Sequence, residues 1–586
     1  MSFKIFIKSN KIELASFLVA FIFYVYYIYA YYSTEVLFLA SFMGDIQLVG
    51  KYFDGTLDFN NLFSKFGEHG MFGYNCLLLI NAFVFHYTVY FDMILNWVNV
   101  FLVALFIIIS VSKSIEKKNL LYFFALLIMI FYLFNVMQGT SATMETQVRL
   151  GLLFFVFSSY FINKSLLSNE IDKYLYISIL LIIITINIFG TMYNFAGYPV
   201  IFLMVVFLMF KSKNKHLNAR YIFIVYSIAL IAYFFEYGII GTGNANKKSI
   251  IEGILFWLER PIEFIHGIAI YYGNATLGYA TFADKVLSTA NYLYVGYVIL
   301  SINIIATVLY FNSRMYQKTY LPIFFQGYTF FVIILALIGR YPLADWLWGS
   351  NVWYQVHTKI GLVSAIWIIL YATNITNNSF TNKIKLFSFI LFSILFIGLM
   401  FGSYNELKRA TYVKIWYQNI QKYMFADAKN MPINPDGMTP LMVDEKITEF
   451  GLDILKKYKL SVFKNIVYAT TLDKNTKLLS GKLYNDNWVG ANLKMYMNTV
   501  DGKLNIDLYL PNEHFSPNSL TILIDGVSVG TQVIDEVGTH HLEFKTLPNK
   551  NVIVEAVFGK SIVPKELGIG EDQRELSAIV NRFEFE

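Results

Sequence analysis

Two kinds of side chain with complementary chemistry recur beside the long apolar runs of this sequence: carboxylates able to accept a proton, and arginines able to grip a phosphate. Asp45 follows the first apolar run in SFMGDIQLVGKYFDG, and Glu68 and His69 close the same connection in SKFGEHGMFGYN. Glu145, Gln147 and Arg149 stand together in GTSATMETQVRLG, and Arg260 lies in LERPIEF beside Glu259 and Glu263. Arg340 follows a further apolar run in GRYPLADW, while Tyr354, His357 and Lys359 precede the next. A positioned carboxylate can take the proton of a hydroxyl, and an arginine can hold a phosphate through paired hydrogen bonds. Each residue alone has an ordinary explanation. A carboxylate just past a span is most often solvated, an interfacial Arg commonly settles among headgroups, and Trp346, Trp348 and Trp353 read as an aromatic belt. In combination, above apolar walls that could take a lipid tail, they suit a reaction on a sugar carried by a polyprenyl phosphate. No HExxH or CxxC spacing occurs, so no zinc site is indicated.

The elements that must position these residues are transmembrane helices. Hydrophobic residues make up 56% of the 586 residues and charged residues 15%, against about 25% charged in soluble chains. Mean hydropathy is +0.51. Apolar blocks long enough to cross a bilayer run near 13–32, 91–111, 119–137, 149–163, 174–190, 196–210, 221–240, 291–311, 321–339, 358–374 and 386–402, eleven expected spans. A twelfth block, Met71–Tyr90, is read as interfacial or re-entrant. If it does not cross, the basic N-terminus and the basic links 113–119, 164–173, 211–220, 312–318 and 374–385 all fall on one side, which the positive-inside rule makes cytoplasmic. The stretch after Met1–Lys11 then serves as signal anchor and first span, with no cleavage site. The longer connections, 33–70, 241–290 and 340–357 among them, share the outer face with everything after about Tyr404. The spans are expected to be nearly free of ionisable residues, with Glu236 the main exception, which argues against a proton-coupled transporter.

After Tyr404 the composition turns polar. The stretch 404–478 reads as a helical linker, with DEKITEFGLDILKKYK an amphipathic helix. From 479 to 586, LNIDLYL, LTILIDGVSVG and NVIVEAVFG alternate with a period of two, which predicts an all-β sandwich. The single cysteine, Cys76, excludes an intrachain disulfide, and nothing in the charge pattern indicates nucleic-acid binding.

The arrangement resembles the GT-C class of bacterial membrane glycosyltransferases. GEHG keeps Glu68 and His69 of an EHR-like element, with Gly70 in place of Arg. METQVRLG keeps Glu145 of a second element, with Thr146 where Asn is usual, and Gly339–Arg340 opens a third. PKELGIGEDQRELSAIVNRFEF is similar to the closing region of β modules on polysaccharide-assembly proteins. The resemblance implies residues 1–403 as a catalytic transmembrane domain in the bacterial cytoplasmic membrane, N-terminus inside and C-terminal domain outside. It implies inverting transfer from a polyprenyl-phosphate-sugar to a glycan or lipid-linked acceptor. Asp45 would be the base, with Glu68 as runner-up or acceptor-orienting partner and His69 hydrogen-bonded to one of them. Arg340, then Arg149 and Arg260, would hold the leaving phosphate; Glu145, Gln147, Tyr354 and His357 would complete the binding site. The resemblance singles out no cofactor; a divalent cation could share the phosphate charge, although no ligand set stands in the sequence. The alternatives are an O-antigen-type polymerase or ligase, or a glycan flippase or transport protein.

Overall fold

The computed structural model describes residues 11–32, 45–63, 65–66, 69–70, 72–135, 144–167, 173–188, 196–211, 216–235, 250–283, 285–339, 352–375, 379–424, 433, 439, 445–463, 468–473, 476 and 478–586. The chain divides into two compact units, Met1–Gln418 and Asn419–Glu586. The first is helical and carries seven helices long and apolar enough to cross a membrane among the described residues. The second is built on one β-sheet.

In the first unit the helices are α1 (Lys11–Tyr32), α2 (Asp45–Phe53), α3 (Phe72–Phe85), α4 (Val89–Ser114), α5 (Leu120–Leu133), α6 (Met144–Leu167), α7 (Lys173–Ile183), α8 (Tyr198–Lys211), α9 (His216–Phe235), α10 (Ile250–Leu258), α11 (Pro261–Ala283), α12 (Thr289–Asn312), α13 (Leu321–Gly339), α14 (Val352–Ile375) and α15 (Ser379–Met424). A two-residue ladder, β1 (Lys65–Phe66) with β2 (His69–Gly70), precedes α3. Large apolar side chains such as Val19, Ile22, Phe83 and Ile397 stand exposed on the bundle, as helices bathed in hydrocarbon require. The seven long apolar helices lie in α1, α4, α6, α12, α13, α14 and α15, while α3, α5 and parts of α7 and α9 are shorter apolar helices.

Side-chain contacts order the helix ends. At one end Glu13 of α1 pairs with Lys118 just before α5 at 2.6 Å, and Glu116 pairs with Lys318 before α13 at 3.1 Å. There too Trp367 Nε1 of α14 donates to Ser114 Oγ of α4 (2.7 Å), and Thr319 Oγ1 donates to Asn163 Oδ1 of α6 (3.2 Å). Thus α1, α5 and α13 begin at this end, while α4, α6 and α14 finish there. The chain between α1 and α4 therefore starts and finishes at the opposite end. Within it α3 has 14 residues, roughly 21 Å of helix and short of a hydrocarbon core of about 30 Å.

The stretch expected as a loop at 241–290 is helical at α10 and α11. Small residues explain both its burial and its broken apolar run. A Cβ at Gly296 of α12 would lie 2.1 Å from the carbonyl oxygen of Ala269, and one at Gly402 of α15 would lie 2.6 Å from that of Leu277. α11 thus packs backbone to backbone against two neighbours, the close approach small residues allow between membrane helices. Glycines, Asn274 and Thr276 interrupt the apolar run that would have announced this helix in the sequence.

In the second unit α16 (Glu445–Lys457) precedes β3 (Leu478–Leu483), β4 (Trp488–Asn498), β5 (Lys503–Leu510), β6 (Asn518–Ile524), β7 (Val527–Ile534), β8 (Gly538–Lys545), β9 (Asn551–Phe558) and β10 (Ala578–Phe585). All eight strands join one antiparallel sheet in the order β7-β6-β9-β4-β10-β5-β8, with β3 also paired to β4. The ends of this order meet: Gln532 Nε2 of β7 donates to Glu543 O of β8 at 2.8 Å, so the sheet curls into a barrel-like form. Alternation decides what lies inside. Leu504, Ile506, Leu508 and Leu510 of β5 join Leu493, Met495 and Met497 of β4 in the buried core, and the intervening residues face outward. The β6–β7 hairpin turns at Asp525–Gly526 with φ of 50° and 81°, the paired left-handed conformation that makes Asp-Gly a favoured hairpin turn.

Candidate functional site

At the end of the bundle opposite the Glu13–Lys118 pair, the first turn of α4 carries a buried carboxylate, Asp92, 5% exposed. Asn81 Nδ2 of α3 donates to its Oδ2 at 3.1 Å, and Thr146 Oγ1 of α6 donates to its Oδ1 at 3.1 Å. Asn81 also clasps the α3–α4 turn, donating to Thr88 O (3.0 Å) and accepting from Thr88 N–H (3.0 Å). That clasp restrains two consecutive non-glycine residues with left-handed backbone, His86 (φ 57°) and Tyr87 (φ 56°). Such residues store strain and persist where surrounding contacts over-determine them. Both oxygens of the carboxylate are engaged, which is what tolerance of a buried carboxylate demands.

One helical turn after Thr146 on α6, Arg149 is 2% exposed and donates through Nη1 to the hydroxyl of Tyr24 on α1 at 3.3 Å. Lys359, fully buried in the second turn of α14, donates to Gln355 Oε1 at 3.2 Å. Gln355 in turn donates to Asn274 Oδ1 of α11 at 3.1 Å, and the Tyr292 hydroxyl of α12 donates to the same oxygen at 3.3 Å. Arg149 and Lys359 line one cavity of about 20 Å³ with Asn99, Val103, Leu152 and Ile360, a space for about one water molecule. Glu406 of α15, 3% exposed, is the carboxylate whose field reaches Lys359. Beside Lys359, His357 bonds through Nδ1 to the Tyr328 hydroxyl of α13 at 2.5 Å, and Tyr328 stacks on Phe155 of α6 at 4.5 Å.

The helices supply charge as well as placement. α4, α6 and α14 all begin at this end, and a helix N-terminus carries an effective charge of about +0.5. Arg149, Lys359 and these N-termini set positive charge at this end, beside the buried carboxylates Asp92 and Glu406.

Among the residues singled out from sequence, Arg149 and His357 are brought together, both buried and close enough to interact electrostatically. Arg260 is not part of this cluster. It sits in the α10–α11 turn, half-exposed, with its guanidinium 4.1 Å above the Phe256 ring and 3.8 Å from Glu263. Asp45 opens α2, His69 lies in β2, Glu145 and Gln147 are in the first turn of α6, and Tyr354 is in the first turn of α14. The side chains of these five, and Glu68 and Arg340 altogether, lie outside the described residues. Asp92, Asn274, Gln355 and Glu406 are polar positions that no local motif in the sequence singles out. Glu406 lies two residues past the boundary drawn at Tyr404, and Asp92 looks like a carboxylate at a span border. The expectation of spans nearly free of charge is corrected accordingly: Asp92, Arg149, Lys359 and Glu406 are all buried within helices. No group of three or more His, Cys, Asp or Glu able to hold a metal ion is found among the described residues.

No protein-family model matches the sequence, and no curated protein sequence matches it.

Proposed function

We propose that this chain is a GT-C-like membrane glycosyltransferase, with eleven spans, that transfers a sugar from a polyprenyl-phosphate donor to a glycan or lipid-linked acceptor on the outer face. The observation that carries the reading is the pair of buried cations, Arg149 and Lys359, lining one cavity at the end of the bundle where α4, α6 and α14 begin. A leaving polyprenyl phosphate needs such charge fixed in advance, in a low-dielectric site that does not have to reorganise. The cavity holds about one water, so the phosphate engages the rim of the cluster and the cations act from beneath it. Asp45, at the N-terminus of α2, is the base that deprotonates the acceptor hydroxyl; Glu68 orients the acceptor and His69 supports one of the two. Arg340 joins Arg149 on the phosphate. Attack on the anomeric carbon then forms the new glycosidic bond, breaks the bond to the phosphate oxygen and inverts the configuration. In this reading the positive-inside rule, applied to the basic links, supports a bacterial cytoplasmic membrane with the Glu13–Lys118 end inside and the Arg149 end outside.

A second reading has an observation of its own. Ionisable residues buried inside spans commonly mark transport pathways, and Asp92, Arg149, Lys359 and Glu406 fit that description. A flippase would move a lipid-linked glycan across vesicles without forming a bond. Cells carrying wild type, Asp45→Asn or Glu68→Gln separate the readings by surface-glycan composition: transfer requires that at least one variant, expressed normally, lacks a sugar. An unchanged glycan in both overturns the assignment.

A further inference from the structure

The second unit contains a cleft of about 350 Å³ between α16 and the outer face of the sheet, lined by Glu449, Asp453, Lys456, Tyr468, Lys494, Tyr496, Asp525, Val552 and Ile553 among others. That volume is at the lower end of the range of small-molecule sites, about 300–1,000 Å³. Sequence periodicity builds both walls. Glu449, Asp453 and Lys456 are spaced i, i+4 and i+7, one face of α16, while Thr448, Leu452 and Leu455 form its buried stripe. On β4, Met495 and Met497 enter the core, so Lys494 and Tyr496 point to the opposite face, beneath α16. Tyr496 pairs with Ile553 of β9, and Asp525 is tied to that same residue, its Oδ1 accepting from Ile553 N–H at 2.8 Å. The hairpin turn therefore fixes where the Asp525 carboxylate stands.

We propose that this cleft binds a neutral saccharide. Tyr468, half-buried, presents the apolar surface on which the C–H face of a pyranose rests, and buried Tyr496 backs it edge to face with centroids 5.4 Å apart. Around them stand carboxylates and ammonium groups, acceptors and donors for adjacent hydroxyls. The charge balance argues against an anion. Three carboxylates line the cleft against two lysines, and Lys494 is held by Glu555 at 3.1 Å. A metal is disfavoured too, since no suitable carboxylate or histidine group occurs among the described residues. Burial and the neighbouring Asp525 carboxylate raise the pKa of Tyr468, so its hydroxyl keeps its proton as a donor. Saccharide binding here is separable from the transfer reading, because it is measured without any donor lipid.

The test uses the full chain in a zwitterionic detergent with no sugar headgroup. Glucose, galactose, mannose, N-acetylglucosamine and rhamnose are titrated one at a time by saturation-transfer NMR and calorimetry, with inorganic phosphate and calcium chloride as further probes. At least one sugar is expected to bind saturably, near millimolar affinity, and Asp525→Asn should weaken it about tenfold, the worth of one hydrogen bond to a charged group. Asn tolerates the left-handed turn, so this variant keeps the hairpin. Tyr468→Ala should abolish binding; if it unfolds the unit, Lys456→Gln on the opposite wall takes its place and should weaken binding. Thr521→Ala, whose hydroxyl meets only Thr531 on the exposed face of the hairpin, should leave it unchanged. The proposal is overturned if none of the five sugars saturates, if only phosphate or calcium binds, or if a bound sugar is indifferent to Asp525→Asn and to the second variant.

Discussion

In the helical unit Val19, Ile22 and Ile397 are more than half exposed, while Asp92, Arg149, Lys359 and Glu406 are buried. In the sheet unit Leu504, Ile506 and Leu508 are buried, and Asp486, Asp572 and Arg574 pair at the surface. Both units bury apolar side chains, but the bundle also leaves apolar faces exposed and keeps charges inside, the pattern expected where hydrocarbon rather than water is the surrounding medium. Water rewards the removal of apolar surface, whereas hydrocarbon gives no such reward and penalises every polar group left facing it. A buried charge in the sheet unit would be an anomaly. In the bundle, burial is where a charge can find partners, and a charge kept there against its desolvation cost marks function.

The largest effect should come from removing a buried cation. Arg149→Met or Lys359→Met is expected to cut sugar transfer by about 100-fold or more, the scale of losing one preorganised charge-stabilising group. Half-exposed Arg260→Ala should stay within about twofold, since exposed pairs contribute little. Transfer rates in membranes matched for expression would measure this, and equal effects at all three positions would dissolve the contrast between buried and exposed charge. Next in size is the sheet core. Ile506→Ala should destabilise the second unit by about 2–5 kcal/mol, read as easier urea-dependent proteolysis of that unit, with the helical unit's thermal unfolding unchanged. Asn81→Ala should cost about 1–3 kcal/mol, because it strips a donor from a buried carboxylate and frees the His86–Tyr87 turn. Detergent-solubilised thermal unfolding should show that loss, and no shift would mean that Asp92 does not depend on the clasp.

The smallest effect is at the surface. Hydrogen bonds from Arg574 hold Asp486 and Asp572 below the ordinary carboxylate value of 3.8. A folded-state pKa below the unfolded one means stabilisation that is present above the unfolded pKa and is lost as pH falls through the folded one. The sheet unit should therefore lose a little stability as pH drops below about 4, a loss weakened by salt. Arg574→Ala should flatten that part of the pH profile; an unaltered profile would show that the pairs contribute nothing.

Much of this contrast was legible in the sequence. Uninterrupted apolar blocks fixed the long helices, and strict alternation in LNIDLYL and NVIVEAVFG fixed strands, because each pattern reports on one surrounding medium. What stayed hidden depends on partners far along the chain. Asp92 is held by Asn81 and Thr146, 11 and 54 positions away, and no local spacing announces such a set. α11 escaped for a different reason: its Gly267, Gly273 and Asn274 suit helix-to-helix packing and break the apolar run by which a bundle helix is anticipated. Arg149 and His357 were visible as candidate binding residues, but their shared burial was not.

Sugar transfer by the purified full-length chain in lipid nanodiscs bears most directly on the central claim. The membrane is supplied with polyprenyl-phosphate-linked sugars and a glycan acceptor, and product formation by wild type is compared with Asp45→Asn and Arg149→Met. The expected result is a new glycosidic bond of inverted configuration from wild type, and at most about one hundredth of that rate from either variant. Product formed equally by all three, or transbilayer movement of the donor with no bond made, would contradict it.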